Sequence, residues 1–400
     1  MSKKVRSYAK IRLCILHKTM NAMKIMLLLF FFMCCSSVEQ NESSPYLVDD
    51  TYYLGADLYY VNEMEDCGAI YRNSSGTAQD PYTIFREANA NLVRLRLWHT
   101  PNWTNYSTLE DVKKSIKRAK EAGMHVLLAF HYSDDWADPY SQDVPSEWLG
   151  IVDDTTELGN ALYTYTTAVL DELNNLSLMP DFVQVGNEIN AMILQRPNVL
   201  EPIDWERNQF LINMGIKAVL DVSSKTGQDI HVMLHIAQPE NALTWFKDAT
   251  QNGISNFDYI GISYYPKWSS QNLTELSQSI RQLIDTYGKE VMIVETAYPY
   301  DFVNQDSANN ILGIDSLHEG FPASQDGQLS YFNELHSVVK SAGRNGVLYW
   351  EPAWVSTSCS TRWGAGSHWE NAAMFDAVSK HTKAMTWFDK PQAITRALVL

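Results

Sequence analysis

The feature that most constrains this fold is a regular alternation of short apolar runs with longer stretches of helical periodicity. In the longer stretches, apolar residues recur every three or four positions, and several stretches stop at a glycine, as helices commonly do. The apolar runs, which we predict to be strands, occupy residues 53–58, 92–98, 125–130, 182–186, 230–236, 259–264, 291–294 and 346–350. The clearest helical stretches occupy residues 109–122, 158–173, 210–222, 273–287 and 329–342.

Eight buried strands separated by helices pair in parallel and close into a barrel. The sequence therefore predicts the α/β class, in the form of a (β/α)8 TIM barrel that makes a single domain. A doubly wound sheet is the alternative, but no Gly-x-Gly-x-x-Gly motif follows the first predicted strand.

Two of the predicted strands end in a glutamate. Asn187 and Glu188 follow strand four after Gly186, and Glu295 follows the apolar run of strand seven. A carboxylate at the end of a buried strand is costly unless it is paired or used, and this end of a TIM barrel carries the catalytic residues. Hydrolysis of a glycosidic bond with retention requires two carboxyl groups about 5 Å apart, a proton donor and a nucleophile. Strands four and seven face each other across the barrel, so Glu188 and Glu295 are the candidate pair.

Other polar and aromatic residues follow the predicted strands. Asn187 is expected to bind the sugar hydroxyl beside the reacting carbon, and Arg96 is expected to hold the nucleophile ionised. The alternative for Arg94 and Arg96 is a buried ion pair without a catalytic role. Aromatic rings cover the apolar faces of sugars, although core packing is the other explanation for them. The remaining candidates for substrate binding are Asp57, His131, Trp136, His235, Tyr264, Trp350 and Trp354.

The amino-terminal segment differs from the rest of the chain. Residues 1–24 carry seven Lys or Arg and no acid, residues 25–33 are wholly apolar, and Cys34 and Cys35 follow. This pattern predicts an export signal over residues 1–35, with an apolar run too short to span a bilayer. The cysteines resemble those of a bacterial lipoprotein signal, and a plain secretory signal is the alternative. Residues 36–50 are predicted to be a polar tether, and residues 51–395 a catalytic domain that is exported and lipid-anchored at the cell surface or periplasm, otherwise secreted.

The charge of the mature chain limits its partners. The full sequence has 31 basic and 47 acidic residues, so loss of the seven leader charges leaves 24 − 47 = −23. Such acidity argues against nucleic acid, against an anionic membrane except through a lipid anchor, and for a neutral polysaccharide. A monomer is expected. The two remaining cysteines, Cys67 and Cys359, are either free or form one disulfide between the loops after strands one and eight.

Several longer motifs resemble glycoside hydrolase family 53, the endo-β-1,4-galactanases, within the clan of retaining (β/α)8 glycosidases. The resemblance spans residues 52–380 and implies Glu188 as acid/base, Glu295 as nucleophile, and β-1,4-galactan of type I pectic arabinogalactan as substrate. The motifs are GADLYYVNEMED at 55–66, VRLRLW at 93–98, FHYSDDWADP at 130–139, QVGNEIN at 184–190, IGISYYPKW at 260–268, IVETAYPY at 293–300, YWEPAW at 349–354 and GSHWENAAMFD at 366–376.

No cofactor is expected. Some bacterial members of this family bind calcium through an Asp-x-Asp-x-His pattern after strand seven, and the corresponding DFVNQDSANNILGI at 301–314 lacks it. Asp301, Asp306 and Glu370 could still supply oxygen ligands. Two other functions remain open: another retaining β-glycanase, such as a mannanase or glucanase, or a barrel that captures glycan without cleaving it. A binding-only barrel would be free to lose a catalytic carboxylate, yet both are present.

Overall fold

The computed structural model describes residues 51–343 and 346–390, and they form a closed barrel of eight parallel strands. Each strand pairs with the next in sequence, and the last pairs with the first. The predicted (β/α)8 barrel is thereby confirmed. The strands are β1 (Tyr53–Asp57), β2 (Leu92–Leu97), β3 (His125–Phe130), β4 (Phe182–Val185), β5 (His231–Ala237), β6 (Tyr259–Ser263), β7 (Glu290–Glu295) and β8 (Gly346–Tyr349).

Helices separate the strands and cover the barrel. Asn272 caps the helix over Leu273–Tyr287 in a full capping box with Glu275, and Gly288 ends that helix with a φ of 61°. None of the helices in the described part of the chain combines the length and apolar character needed to cross a bilayer. They are α1 (Val61–Asp66), α2 (Pro81–Glu87), α3 (Leu109–Glu121), α4 (Thr155–Asn175), α5 (Trp205–Thr226), α6 (Pro239–Gln251), α7 (Leu273–Tyr287) and α8 (Gln325–Ser341).

An apolar cluster closes the amino-terminal end of the barrel interior. Phe182 lies at its centre, with its ring 5.2 Å from those of Tyr53 and Tyr259 and nearly perpendicular to both. Side chains alternate along a strand, so the next inward positions of β4 and β5 are Gln184 and His235. The apolar floor therefore supports a layer of polar side chains nearer the carboxyl ends of the strands.

A disulfide joins two of the loops at the carboxyl-terminal rim. Cys67, after β1, is bonded to Cys359, after β8, with 5.6 Å between their Cα atoms. Of the two states left open by the sequence, the structure contains the bond. A short hairpin of β9 (Ser360–Thr361) and β10 (Gly364–Ala365) follows directly.

Two of the sequence predictions fall outside the described residues. They are the export signal and tether over residues 1–50, and residues 391–395 at the end of the predicted catalytic domain.

Candidate active site

The two predicted carboxylates lie together at the mouth of the barrel. One carboxylate oxygen of Glu188, one of Glu295 and a ring nitrogen of His235 all lie within 4.8 Å of one another. A carboxyl separation of about 5 Å is the one that retaining glycosidases use, because no room remains for water between nucleophile and sugar. The structure thus brings the pair into the geometry that the chemistry requires.

Glu295 is held by a positive charge and a phenol. Arg94 Nη1 donates to Glu295 Oε1 at 2.7 Å, and Tyr265 Oη donates to Glu295 Oε2 at 3.2 Å. The prediction that Arg96 makes the contact to the nucleophile is therefore wrong. The side chains of Arg94 and Arg96 point to the same side of β2, but Arg94 is the one that lies level with Glu295 along the barrel axis.

Arg94 is also the centre of a buried polar network. Its other contacts are to Asp57 Oδ2 at 2.8 Å, Gln184 Oε1 at 3.1 Å and Asn187 Oδ1 at 2.7 Å. The guanidinium has no exposed surface, so these acceptors replace the water that it loses on folding. Arg94 therefore makes the buried ion pair that the sequence left open for this residue, and it also contacts Glu295.

Arg96 lies instead in a cage of aromatic rings. Its guanidinium carbon is 4.1 Å from the ring centroid of Trp98 and 4.0 Å from that of Trp136, with Tyr59 and Tyr60 on other sides. Its Nε donates to the hydroxyl of Ser107 at 3.0 Å. Stacking of this kind orients the rings, so Arg96 shapes the aromatic wall beside the carboxylates.

Glu188 has a different environment from Glu295. It is half-buried, and burial together with the nearby charge of Glu295 raises the pKa of Glu188 to about 8. The hydroxyl of Ser263 donates to Glu188 Oε1 at 2.6 Å and opposes this shift. A carboxyl group with this pKa is protonated at neutral pH and is suited to act as a general acid.

The backbone of Glu188 is strained, with a φ of 43°. Positive φ at a non-glycine residue costs on the order of 1–3 kcal/mol and persists only where neighbouring contacts hold it. Here Ile189 N donates to His235 O at 2.9 Å, and the Asn190 side chain makes two hydrogen bonds to the backbone of Ala237. These contacts to β5 fix the turn that aims Glu188 at the mouth.

The side chains of Asn187 and His131 both form hydrogen bonds to the backbone of Ala137. Asn187 Nδ2 donates to Ala137 O at 2.8 Å, which leaves its second hydrogen for another acceptor. His131 Nδ1 accepts from Ala137 N at 3.3 Å, and its buried Nε2 has no hydrogen-bond partner among the described residues. Both retain a small exposed fraction, 3% each.

Four of the predicted substrate-binding residues have no exposed surface, so the structure does not place them where they would touch a ligand at the mouth. Asp57 pairs with Arg94, and His235 lies beneath Glu188. Tyr264 donates its hydroxyl to Gln271 O at 2.9 Å, and Trp354 stacks on Tyr60 with 4.2 Å between ring centroids. They support the site from behind. The four are Asp57, His235, Tyr264 and Trp354.

Trp136 and Trp350 are half-buried, and their ring centroids are 6.1 Å apart. Unlike Trp354, they offer surface to a ligand. Sequence reasoning missed further aromatic residues in the rim loops, among which Trp103, Trp268 and Trp363 have 42%, 48% and 48% of their surface exposed.

Other residues that sequence reasoning missed contact the carboxylates directly. Tyr265 binds Glu295 and Ser263 binds Glu188. The signal that could have found Ser263 and Tyr265 is their position at the carboxyl end of strand six, beside the predicted Tyr264.

The three carboxylates considered as oxygen ligands for calcium accept hydrogen bonds from the protein. Asp306 accepts from Ala308 N at 2.7 Å, from Ser367 N at 2.8 Å and from Ser356 Oγ at 2.5 Å. Glu370 Oε1 accepts from Gln305 N, and Asp301 from Val303 N. Both oxygens of Asp306 therefore accept hydrogen bonds from the protein, whereas Glu370 Oε2 is buried and has no hydrogen-bond partner among the described residues.

Among (β/α)8 barrels, two carboxylates at this spacing on the ends of β4 and β7 belong to glycoside hydrolases. The comparison with known sequences places the chain more narrowly. It belongs to glycosyl hydrolase family 53, whose sequence model matches residues 53–388.

Characterised relatives and solved structures agree. The chain is 55% identical to an arabinogalactan endo-β-1,4-galactanase of Cellvibrio japonicus (strain Ueda107), over 82% of this chain and 88% of that protein. It is 33% identical to an endo-β-1,4-galactanase of Bacillus subtilis (strain 168), over 77% and 71%. The Ignisphaera aggregans GH53 catalytic domain has a TM-score of 0.78 at 28% identity, covering 86% of this chain and 97% of that one. A structure from a study of two fungal β-1,4-galactanases has a TM-score of 0.74 at 29% identity, covering 85% and 100%.

Proposed function

We propose that this protein is an endo-acting, retaining hydrolase of β-1,4-galactosidic bonds in galactan, the side chain of type I arabinogalactan. The family and the galactanase relatives support the substrate. The observation that carries the mechanism is the separation of no more than 4.8 Å between oxygens of Glu188 and Glu295.

The reaction is a double displacement. The Glu295 carboxylate attacks the anomeric carbon, while protonated Glu188 gives its proton to the leaving glycosidic oxygen. The galactosyl–Glu295 ester then reacts with water, which gives its proton to the Glu188 carboxylate as its oxygen attacks the same carbon. Two inversions return the β configuration and restore both carboxyl groups.

Substrate binding follows from the polar atoms and rings that remain open at the mouth. The second Asn187 Nδ2 hydrogen is placed for the hydroxyl beside the reacting carbon. Arg96 and His131 keep 2% and 3% of their surface exposed, and contact with sugar hydroxyls is proposed for them as well. Trp136 and Trp350 offer rings to galactose faces.

The cellular location is also a proposal. The leader over residues 1–35 supports export, and Cys34 or Cys35 supports lipid attachment, with the acidic domain, proposed to be monomeric, held off the membrane by residues 36–50. Mass spectrometry of the mature amino terminus tests this. A diacylglyceryl cysteine would support the anchor, and an unmodified amino terminus after cleavage would support plain secretion.

The purified protein tests the activity when it is given potato galactan beside mannan, xylan and β-glucan. We expect hydrolysis of galactan to internal fragments, and Glu295→Gln serves as the inactive control. Faster hydrolysis of mannan or β-glucan would favour another β-glycanase, and binding without cleavage would favour a capture protein. Proton NMR of the first-formed reducing end should show the β anomer, whereas an α anomer appearing first would contradict the double displacement.

A further inference from the structure

The catalytic residue Glu188 rests on a hydroxyl and an imidazole that the double displacement does not itself use. We propose that Ser263 and His235 are positioning residues that form a two-state hydrogen-bond relay, which stabilises Glu188 both as an acid and as a carboxylate. This inference rests on the proposed function, because only a residue that alternates between the two states needs such support.

The geometry around Ser263 requires it to change roles. Its Oγ lies 2.6 Å from Glu188 Oε1 and 2.9 Å from His235 Nε2. A hydroxyl has one hydrogen, so it can donate to only one of these atoms and must accept from the other. Ser263 and His235 have no exposed surface, so bulk water does not compete for either contact.

His235 can satisfy both arrangements because its other nitrogen faces a donor and an acceptor. Nδ1 lies 3.3 Å from the backbone N of Glu188 and 3.5 Å from Arg94 Nη2, which are donors, and 3.1 Å from Asn187 Oδ1, which is an acceptor. The oxygen assignment of the Asn187 amide is secured by Arg94 Nη2 at 2.7 Å and Gln184 Nε2 at 3.1 Å, which both donate to it. Burial, and then the charge of Arg94, lower the pKa of His235 well below its ordinary value, so the ring is neutral and carries one hydrogen.

Each protonation state of Glu188 therefore selects one tautomer of His235. When Glu188 is protonated, it donates to Ser263 Oγ, Ser263 donates to His235 Nε2, and His235 Nδ1 donates to Asn187 Oδ1. When Glu188 is ionised, Ser263 donates to its carboxylate, His235 Nε2 donates to Ser263, and the backbone N of Glu188 donates to His235 Nδ1. Ser263 Oγ and both ring nitrogens of His235 have a partner in either state, whereas the backbone N–H of Glu188 has its acceptor, His235 Nδ1, only when Glu188 is ionised.

The two states are not equally stabilised. A hydrogen bond donated to a charged carboxylate is stronger than one between neutral groups, so the relay favours ionised Glu188 and lowers its pKa. Burial and the negative charges of Glu295 and Asp138 raise the pKa of Glu188, and the relay opposes them. The positive charge of Arg94 lowers this pKa, as the relay does. The titratable groups that face Glu188 are Glu295, Asp138, Arg94, His235 and Tyr265.

The pH profile of Ser263→Ala tests the relay. Glycosylation requires protonated Glu188, so kcat/KM falls as pH rises through its pKa. Without the donated hydrogen bond, that basic limb should move to higher pH by about one unit. Ser279→Ala removes another buried hydroxyl, on α7, which donates to Gln271 Oε1, and it should leave the limb unchanged. An unmoved limb in Ser263→Ala, with the wild type active on galactan, would overturn the relay and leave the proposed function intact.

The His235 tautomer gives a second measurement. In protein with ¹⁵N-labelled histidine, each ring nitrogen of His235 has a ¹⁵N chemical shift that reports whether it carries the hydrogen. As Glu188 titrates, the hydrogen should move from one ring nitrogen to the other, so the two shifts should interchange. Glu188→Gln should abolish this change. Ring shifts that stay constant through the basic limb of the wild-type profile would contradict the coupling, whatever the substrate of the enzyme proves to be.

Discussion

The two glutamates proposed to be catalytic, Glu188 and Glu295, are chemically identical side chains in opposite surroundings. Glu295 accepts from the buried guanidinium of Arg94 and from Tyr265. Glu188 accepts from the neutral hydroxyl of Ser263 and faces the charge of Glu295 itself. A fixed positive charge suits a group that must react as a carboxylate, whereas burial beside a negative charge suits a proton donor. The neighbours, and not the residue type, therefore assign the two roles.

The largest expected effect comes from removing each carboxylate. Glu188→Gln and Glu295→Gln should each lower kcat/KM on galactan by about 10⁴-fold, because one loses the acid and the other the nucleophile. An aryl β-galactoside with an acidic phenol separates the two, since its leaving group needs no proton. Glu188→Gln should still release a burst of phenol in stopped-flow measurements, and Glu295→Gln should not. A burst from Glu295→Gln would reverse the assignment.

The next largest effect tests the charge beneath Glu295. Arg94→Met should destabilise the fold by about 3–5 kcal/mol in urea denaturation, because it leaves Asp57 and Glu295 buried without their cation. Arg196→Met is the matched control. Arg196 pairs with Asp153 at the surface, and loss of an exposed pair costs about 0–1 kcal/mol. Equal losses of stability in the two variants would contradict the conclusion that Arg94 is the centre of the buried polar network.

The contrast between the glutamates also predicts a pH-dependent difference in stability. The pKa of Glu188 in the folded protein is about 8, above its ordinary value of 4.5. The folded state therefore holds this proton more tightly than the unfolded state, and its ionisation lowers stability as pH rises from about 4.5 through 8. Glu188→Gln removes that penalty. Relative to Glu188→Gln, the wild-type melting temperature should fall across this window, and parallel curves would contradict the raised pKa.

The amino-acid pattern was sufficient to predict the barrel and the glutamate pair. Eight apolar runs of strand length recur at regular spacing, and an acid at the end of such a run has few explanations. It was not sufficient for α6. Pro239 was not recognised as a helix start, although proline suits the first position of a helix and α6 begins there.

The depth of side chains within the barrel could not be predicted. Arg94 and Arg96 share a face of β2 by alternation, and which of them reaches Glu295 depends on the stagger of the strands. The pairing of β6 with β7 shifts register between Ile262 and Ser263, so that Ser263 pairs with Glu295. Strict alternation would have placed Glu295 on the opposite face from inward-facing Val294.

The exposure of the aromatic residues at the rim could not be predicted from the sequence either. Trp350 and Trp354 are four residues apart in one motif, yet Trp350 is half-buried and Trp354 has no exposed surface. The difference arises because Trp354 stacks on Tyr60, in the loop after β1. A contact between segments nearly 300 residues apart leaves no local signal in the sequence.

The smallest expected effect tests the second donor to the nucleophile. Tyr265→Phe removes only the hydroxyl that lies 3.2 Å from Glu295 Oε2, while Arg94 remains 2.7 Å from Oε1. A hydrogen bond to a carboxylate that keeps its main partner is worth about 1–1.5 kcal/mol, so kcat/KM on galactan should fall about tenfold. Because the Tyr265 hydroxyl donates to Glu295 whereas Ser263 donates to Glu188, the basic limb of the pH profile should stay in place, in contrast to its displacement in Ser263→Ala. A displaced limb in Tyr265→Phe would show that the Tyr265 hydroxyl also sets the pKa of Glu188, and the separate surroundings of the two carboxylates would no longer explain their roles.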